Sequence, residues 1–318
     1  MLYMEELLDA IIAEEGQTLM GLEFLIETLN LPMKKIDTLF KKALSEYSER
    51  RPMKKTTVIN NFDYADPEAG YITMPEGTTS CRVARYGVLP NQMPRFYMPK
   101  FAEQNVEFDI TTRQCRVWPP VTPLRLTYTQ RFVTTTNILI EKLIEIPYET
   151  DEYEFDLPTM YANKTLSIQK SVVVEDPDTG ELIPEILSMK PTGTILQEDD
   201  GEDSKAILKG SLGEGKVNLK TREVSLKLSN DTASPLVITY YPKWSVVKEL
   251  DIGNYLFTRI FACKVLEALA SLRAQSTQEN LHNIDLTADR LLDRVAELKK
   301  EIRELGRASI SFHDMAPM

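Results

Sequence analysis

Apolar residues recur at helical spacing at both ends of the chain and at alternate positions between them. Leu7, Leu8, Ile11 and Ile12 share a face of the segment from Met4 to Glu15, which Gly16 closes. A short second helix is predicted over Leu22 to Leu29. A third follows Asn30-Leu-Pro32, since proline suits a helix start, and its stripe of Ile36, Leu39, Phe40 and Leu44 ends near Pro52. From Thr56 the period shortens to two. Thr57-Val-Ile, Gly70-Tyr-Ile-Thr, Cys81 to Val88 and Val106-Glu-Phe-Asp-Ile are rich in β-formers and broken by Pro, Gly and Asn. More strands are expected at Arg131-Phe-Val-Thr, Ile138-Leu-Ile, Ser167 to Val174 and Ile183 to Leu187.

Helical spacing returns after Trp244. One helix is predicted over Lys248 to Ala274, and a second from Asp285, a good N-cap, to Gly306, a good C-cap. In the second, Ala288, Val295 and Ile302 alternate with Leu291, Leu298 and Leu305 as a and d positions of heptads. Such a seam suits the preceding helix or another subunit, so Leu291, Val295, Leu298 and Ile302 are candidate interface residues.

Two stretches echo each other about a hundred residues apart. Asp109 to Val117 followed by Leu124 to Tyr128 matches Asn218 to Leu226 followed by Leu236 to Tyr240. Thr112-Arg113 aligns with Thr221-Arg222, and Leu-x-x-Thr-Tyr recurs after each. Each copy reads as two strands joined by a loop.

These patterns predict an α+β fold with an antiparallel β-rich region inserted between N-terminal helices and a C-terminal helical hairpin. The expected divisions are a helical lobe at 1–55 and a β-rich region at 56–245 carrying an acidic insertion at about 134–209. A helical hairpin at 246–306 packs with the N-terminal helices, and 307–318 forms a flexible tail.

The 318 residues carry a net charge of −11, unevenly placed. From Glu141 to Lys205 there are 17 acidic residues against 5 lysines, so the remainder is close to neutral. An acidic segment repels phosphate backbones and argues against sequence-specific nucleic-acid binding. The same charge suits a wall past which DNA travels without sticking. No apolar run approaches the roughly 18 residues of a membrane span, and the start, Met1-Leu-Tyr-Met-Glu-Glu, has no secretory pattern. The cysteines, Cys81, Cys115 and Cys263, are odd in number and widely spaced, which reads as small core residues in a reducing compartment.

Apparent catalytic motifs dissolve on inspection. Gly210 to Lys216 has phosphate-loop glycine spacing, but Val217 replaces the magnesium-binding Ser or Thr and a strand pattern follows. Asp176-x-Asp178-x-Gly180 opens like a calcium loop, yet Leu187 holds the place of the bidentate Glu. His282 and His313, the two histidines, have no metal-spaced partners. The sequence calls for no catalytic residue, metal or cofactor. What remains is a strip where aromatics interleave with arginine: Arg85, Tyr86, Arg95, Phe96 and Tyr97. Tyr and Arg are enriched at protein interfaces. A rival reading has Tyr86, Phe96 and Trp118 docking glycans as a carbohydrate-binding module.

The order of elements resembles the neck and related structural proteins of contractile-tailed, T-even-like bacteriophages. Lys42 to Pro52 looks like that family's helix end before its first strand. Phe108-Asp-Ile-Thr-Thr-Arg113, closed by Leu126-Thr-Tyr128, is similar to its strand pair. Leu256 to Arg273 resembles its long helix, and Ile284 to Leu292 the entry to its last helix. The resemblance implies a virion structural subunit without enzymatic activity, found in the host cytoplasm during assembly. It would form a homo-oligomeric ring at the head-to-tail junction, a connector or collar, and contact portal-side or tail-side proteins. DNA would pass through the ring's lumen. A baseplate or tail component is the alternative that the resemblance leaves open.

Overall fold

The computed structural model describes residues 1–59, 71–86, 106–117, 124–145, 152–162, 164–175, 181–197, 204–229, 235–276 and 286–313. The first described elements are β1 (Leu2–Tyr3), α1 (Met4–Gly16), α2 (Leu22–Thr28) and α3 (Met33–Arg50). Short strands follow as β2 (Met53–Ile59), β3 (Tyr71–Thr73), β4 (Thr78–Tyr86), β5 (Val106–Asp109), β6 (Gln114–Val117) and β7 (Leu124–Gln130). The next group is β8 (Ile140–Ile144), β9 (Glu152–Asp156), β10 (Ser167–Glu175), β11 (Leu182–Gln197) and β12 (Ser204–Gly210). The chain ends with β13 (Gly213–Asn218), β14 (Glu223–Leu228), β15 (Leu236–Tyr240), β16 (Val246–Val247), α4 (Tyr255–Gln275) and α5 (Ala288–His313). The fold is α+β, with antiparallel strands between N-terminal and C-terminal helices, as the periodicities predict.

Alternation in the second half of the chain builds one antiparallel sheet of order β8-β15-β10-β11-β12-β13-β14-β9. Successive side chains of a strand point to opposite faces, so Val224, Leu226 and Leu228 of β14 are buried beside Leu236, Ile238 and Tyr240 of β15. Residues 1–27 join this sheet in one compact unit spanning 134–253. Their tether is specific: β1 pairs with β16, and the buried Glu5 of α1 accepts hydrogen bonds from the Thr159 hydroxyl and, at 2.7 Å, from the Met160 N–H.

The second unit comprises residues 28–133 and 254–318. Here α3 packs on α4, and α4 on α5. Phe40 meets Phe257 and Phe261 edge-on, with centroids 5.4 and 5.3 Å apart, a favoured aromatic geometry. Lys264 of α4 reaches Glu46 of α3 at 2.9 Å. Two three-stranded sheets, β2-β7-β4 and β3-β6-β5, complete the unit.

The units cut across the expected divisions. Of the N-terminal helices, α3 packs with the C-terminal pair in the second unit, whereas α1 belongs to the sheet unit, where Glu5 and β1 anchor it. The acidic stretch at 134–209 is no insertion, since it supplies β8 to β11 and most of β12. The helix after Trp244 begins at Tyr255, seven residues late, because the Asn254 side chain caps Phe257 N–H at 3.1 Å. The last helix runs through Gly306 to His313 rather than ending there. Open space surrounds that glycine, so its cost of about 1 kcal/mol to helix propensity breaks nothing. Its start is capped by the Thr287 hydroxyl, which accepts from Arg290 N–H at 3.3 Å, while Asp285 lies outside the described residues.

The echoed sequences are two copies of one hairpin loop. Asp109-Ile-Thr-Thr-Arg113 joins β5 to β6, and Asn218-Leu-Lys-Thr-Arg222 joins β13 to β14. The first arm of each copy is therefore the loop and second strand of a hairpin, where the sequence suggests one strand. The following Leu-x-x-Thr-Tyr strands go elsewhere: β7 between β2 and β4, β15 between β8 and β10. The glycine-rich segment at 210–216 is a hairpin too, with Gly210 opposite Gly213. A Cβ on Gly210 would lie 2.0 Å from the Ser188 carbonyl oxygen, which explains the glycine.

Candidate interaction surface

The sequence places most of its candidate interface in two regions, and the structure treats them differently. Leu291, Val295, Leu298 and Ile302 are all buried within the single chain, where α5 lies along α4. Polar contacts extend the seam. Arg259 Nε reaches Glu301 at 3.2 Å and its guanidinium stacks 4.4 Å above the Tyr255 ring; Lys299 reaches Glu267 at 2.6 Å. The heptads are thus satisfied by the preceding helix. Arg85 and Tyr86 lie on β4, opposite Arg125 and Leu124 of β7. Arg95, Phe96, Tyr97 and Trp118 lie outside the described residues, as do the acidic turn at 176–180 and His282.

Buried polar chemistry is used for packing. In the sheet unit, Arg222 follows the hairpin loop and approaches Glu5 at 3.7 Å while pairing with Asp9. Burial pushes the Glu5 carboxyl above its ordinary value, although its hydrogen bonds and Arg222 oppose that. Burial likewise raises the Tyr240 phenol. All three cysteines are buried and none forms a disulfide; desolvation pushes the Cys263 thiol up to about 11, away from thiolate reactivity. Among the described residues, no group of three His, Cys, Asp or Glu side chains is placed to hold a metal, and no helix is long and apolar enough to cross a membrane.

The surface that stands out was not singled out by sequence reasoning. Strands β10 and β11 pair from Ile168↔Met189 out to Glu175↔Leu182. Beside them, β15 reaches only Ser167 to Lys170, and β12 begins only at Met189. Among the described residues, no other named strand pairs with the outer part of this hairpin. Residues directly opposite share a face, which aligns Val173 and Pro184 with Leu182 and Ile186. Val173, Ile186 and Leu182 are 65%, 65% and 73% exposed. Val174 and Ile183, opposite each other on the reverse face, are exposed as well. β-Branched residues dictate strand here, and Pro184 fits because proline is tolerated where a strand lacks a neighbour. An apolar run flanking an acidic turn was the available signal.

The same sheet carries two depressions. One, of about 540 Å³, lies over the outer face of β12, β13, β14 and β9. Its lysines interleave with Glu152, Glu154 and Glu214, and Lys227 lies 3.8 Å from Glu152, so its field is largely self-cancelling. The other, of about 430 Å³, opens where β11 bulges between Pro191 and Ile195. Gly193 takes φ +86° at that bulge and lies against the stem of Lys164. Across from it, the Met160 to Ala162 segment is tied to 241–243 by Lys243 N–H to Met160 O and Ala162 N–H to Tyr241 O, both 2.7 Å. The floor is apolar, with Met160, Tyr161 and Leu219; the charged rim is Lys164 and Lys243, and no acidic residue lines it among the described residues.

No family model matches this chain, and no curated protein or solved structure matches it either.

Proposed function

We propose that this chain is a non-enzymatic structural subunit of a tailed bacteriophage, forming a homo-oligomeric ring at the head-to-tail neck and joining other structural proteins there. The observation that carries the assembly reading is the projecting β10–β11 hairpin, whose Val173, Leu182 and Ile186 face water. Contiguous exposed apolar surface marks interaction sites. The neck position rests on the resemblance of Lys42 to Pro52 and Leu256 to Arg273 to phage neck proteins. A baseplate or tail position uses the same surface with other neighbours. The ion pairs of Glu5 with Arg222 and of Arg259 with Glu301, in which Glu5 and Arg259 are buried, suit a rigid building block. Negative-stain images of the purified protein test the reading: closed rings of uniform diameter are expected. Dispersed single particles at every concentration and salt would remove the homo-oligomeric ring.

A further inference from the structure

We infer that the β10–β11 hairpin of one copy inserts into the lysine-rimmed groove of the next, so that the subunits join head to tail; this deepens the assembly reading and rests on it. The two surfaces complement each other in shape class and charge. Between Lys170 and Lys190 the hairpin sequence has five acidic residues and no lysine or arginine, and Glu185 is exposed on the face it shares with Val174 and Ile183. The groove offers an apolar floor with Lys164 and Lys243 at its rim. Such complementarity steers encounter and fixes register.

A chain cannot fill its own groove in this way. Ile183 on the hairpin and Thr194 at the groove lie on the same strand, roughly 35 Å apart at about 3.3 Å per residue. Between them β11 is held by β10 and then β12, so the hairpin has no hinge on which to fold back. The occupant is therefore a second copy. Two different patches on one subunit make a heterologous contact, which closes into a ring when the rotation permits.

Two double variants of the full chain test this by sedimentation velocity. Leu182→Lys with Ile186→Lys spoils the hairpin; Lys164→Glu with Lys243→Glu spoils the groove. All four positions are exposed, and thermal melts matching wild type verify folding; Ile195→Lys, on the exposed groove wall, replaces the groove variant if it melts early. Each variant alone should self-associate at least about tenfold more weakly, as expected on removing central anchors. Mixed together, they should form a one-to-one heterodimer, because each still contributes one intact face. Variants that associate like wild type, or a mixture that stays monomeric, overturn the contact and leave the assembly reading standing. A wild-type chain that is monomeric at every concentration overturns both.

Discussion

Asp109 and Asn218 hold the same position in two hairpin loops more than a hundred residues apart. Asp109 Oδ1 accepts from Thr111 N–H at 2.8 Å and Thr112 N–H at 3.5 Å; Asn218 Oδ1 accepts from Lys220 N–H at 2.9 Å and Thr221 N–H at 3.1 Å. Each loop then uses a threonine hydroxyl to accept from the residue two further on, at 3.4 Å, and ends on an arginine at positive φ, 59° for Arg113 and 68° for Arg222. Short polar side chains that mimic a backbone turn are the physical reason for this recurrence. Asn218→Ala should lower stability by about 1 kcal/mol, and Asp109→Ala, in the exposed loop, should lower it by less, both read by urea unfolding.

The two arginines share a backbone and differ in role. Arg113→Gly relieves a left-handed residue and should leave stability unchanged or slightly higher. Arg222→Gly relieves the same geometry but leaves the buried Glu5 without its cation, so it should destabilise by about 3 kcal/mol. Equal effects of the two substitutions in urea unfolding would contradict the role given to Arg222.

The heptad seam predicts a concentration-independent loss. Leu298 is fully buried within one chain, so Leu298→Ala should cost about 2–5 kcal/mol at low and high protein concentration alike. Leu298→Asp with Ile302→Asp should abolish folding of the helical unit. A penalty that grows with concentration in unfolding curves would place the seam between subunits instead.

Two carboxylates make opposite predictions with pH. Glu46 is held below its ordinary 4.5 because hydrogen bonds and charge from Lys264 and Arg50 outweigh its desolvation. Its contribution is full above 4.5 and is lost as pH falls through the depressed value. Glu5 is raised above 4.5, chiefly by burial; its contribution is full below 4.5 and is lost as pH rises through the raised value. Glu46→Gln should therefore flatten the acid side of the stability profile, and Glu5→Gln should remove a loss on its neutral side. Melting temperatures collected across pH for the two variants check both signs.

Local pattern was legible in the chain and long-range pairing was not. The stripe of Ile36 and Phe40 placed α3 within a few residues, and the alternation of Val224, Leu226 and Leu228 placed β14. Nothing local says that β9 pairs β14 across some seventy residues, or that β15 lies between β8 and β10, since strand order depends on contacts that the period of two does not encode. Nor does composition show that α1 sides with the sheet, which Glu5 and Arg222 decide. The interaction surface was the least legible part. Val173, Val174 and Ile183 to Ile186 read like buried strands; their exposure follows from where β15 and β12 stop. The heptad leucines looked like an interface because a seam records that it is apolar, not which helix covers it.

The central claim is assembly, and the mass of the wild-type chain in solution tests it most directly. Light scattering over rising concentration and several salt levels should give a species that grows from the 36.3 kDa chain to one fixed multiple of it. A constant 36.3 kDa throughout would contradict the account.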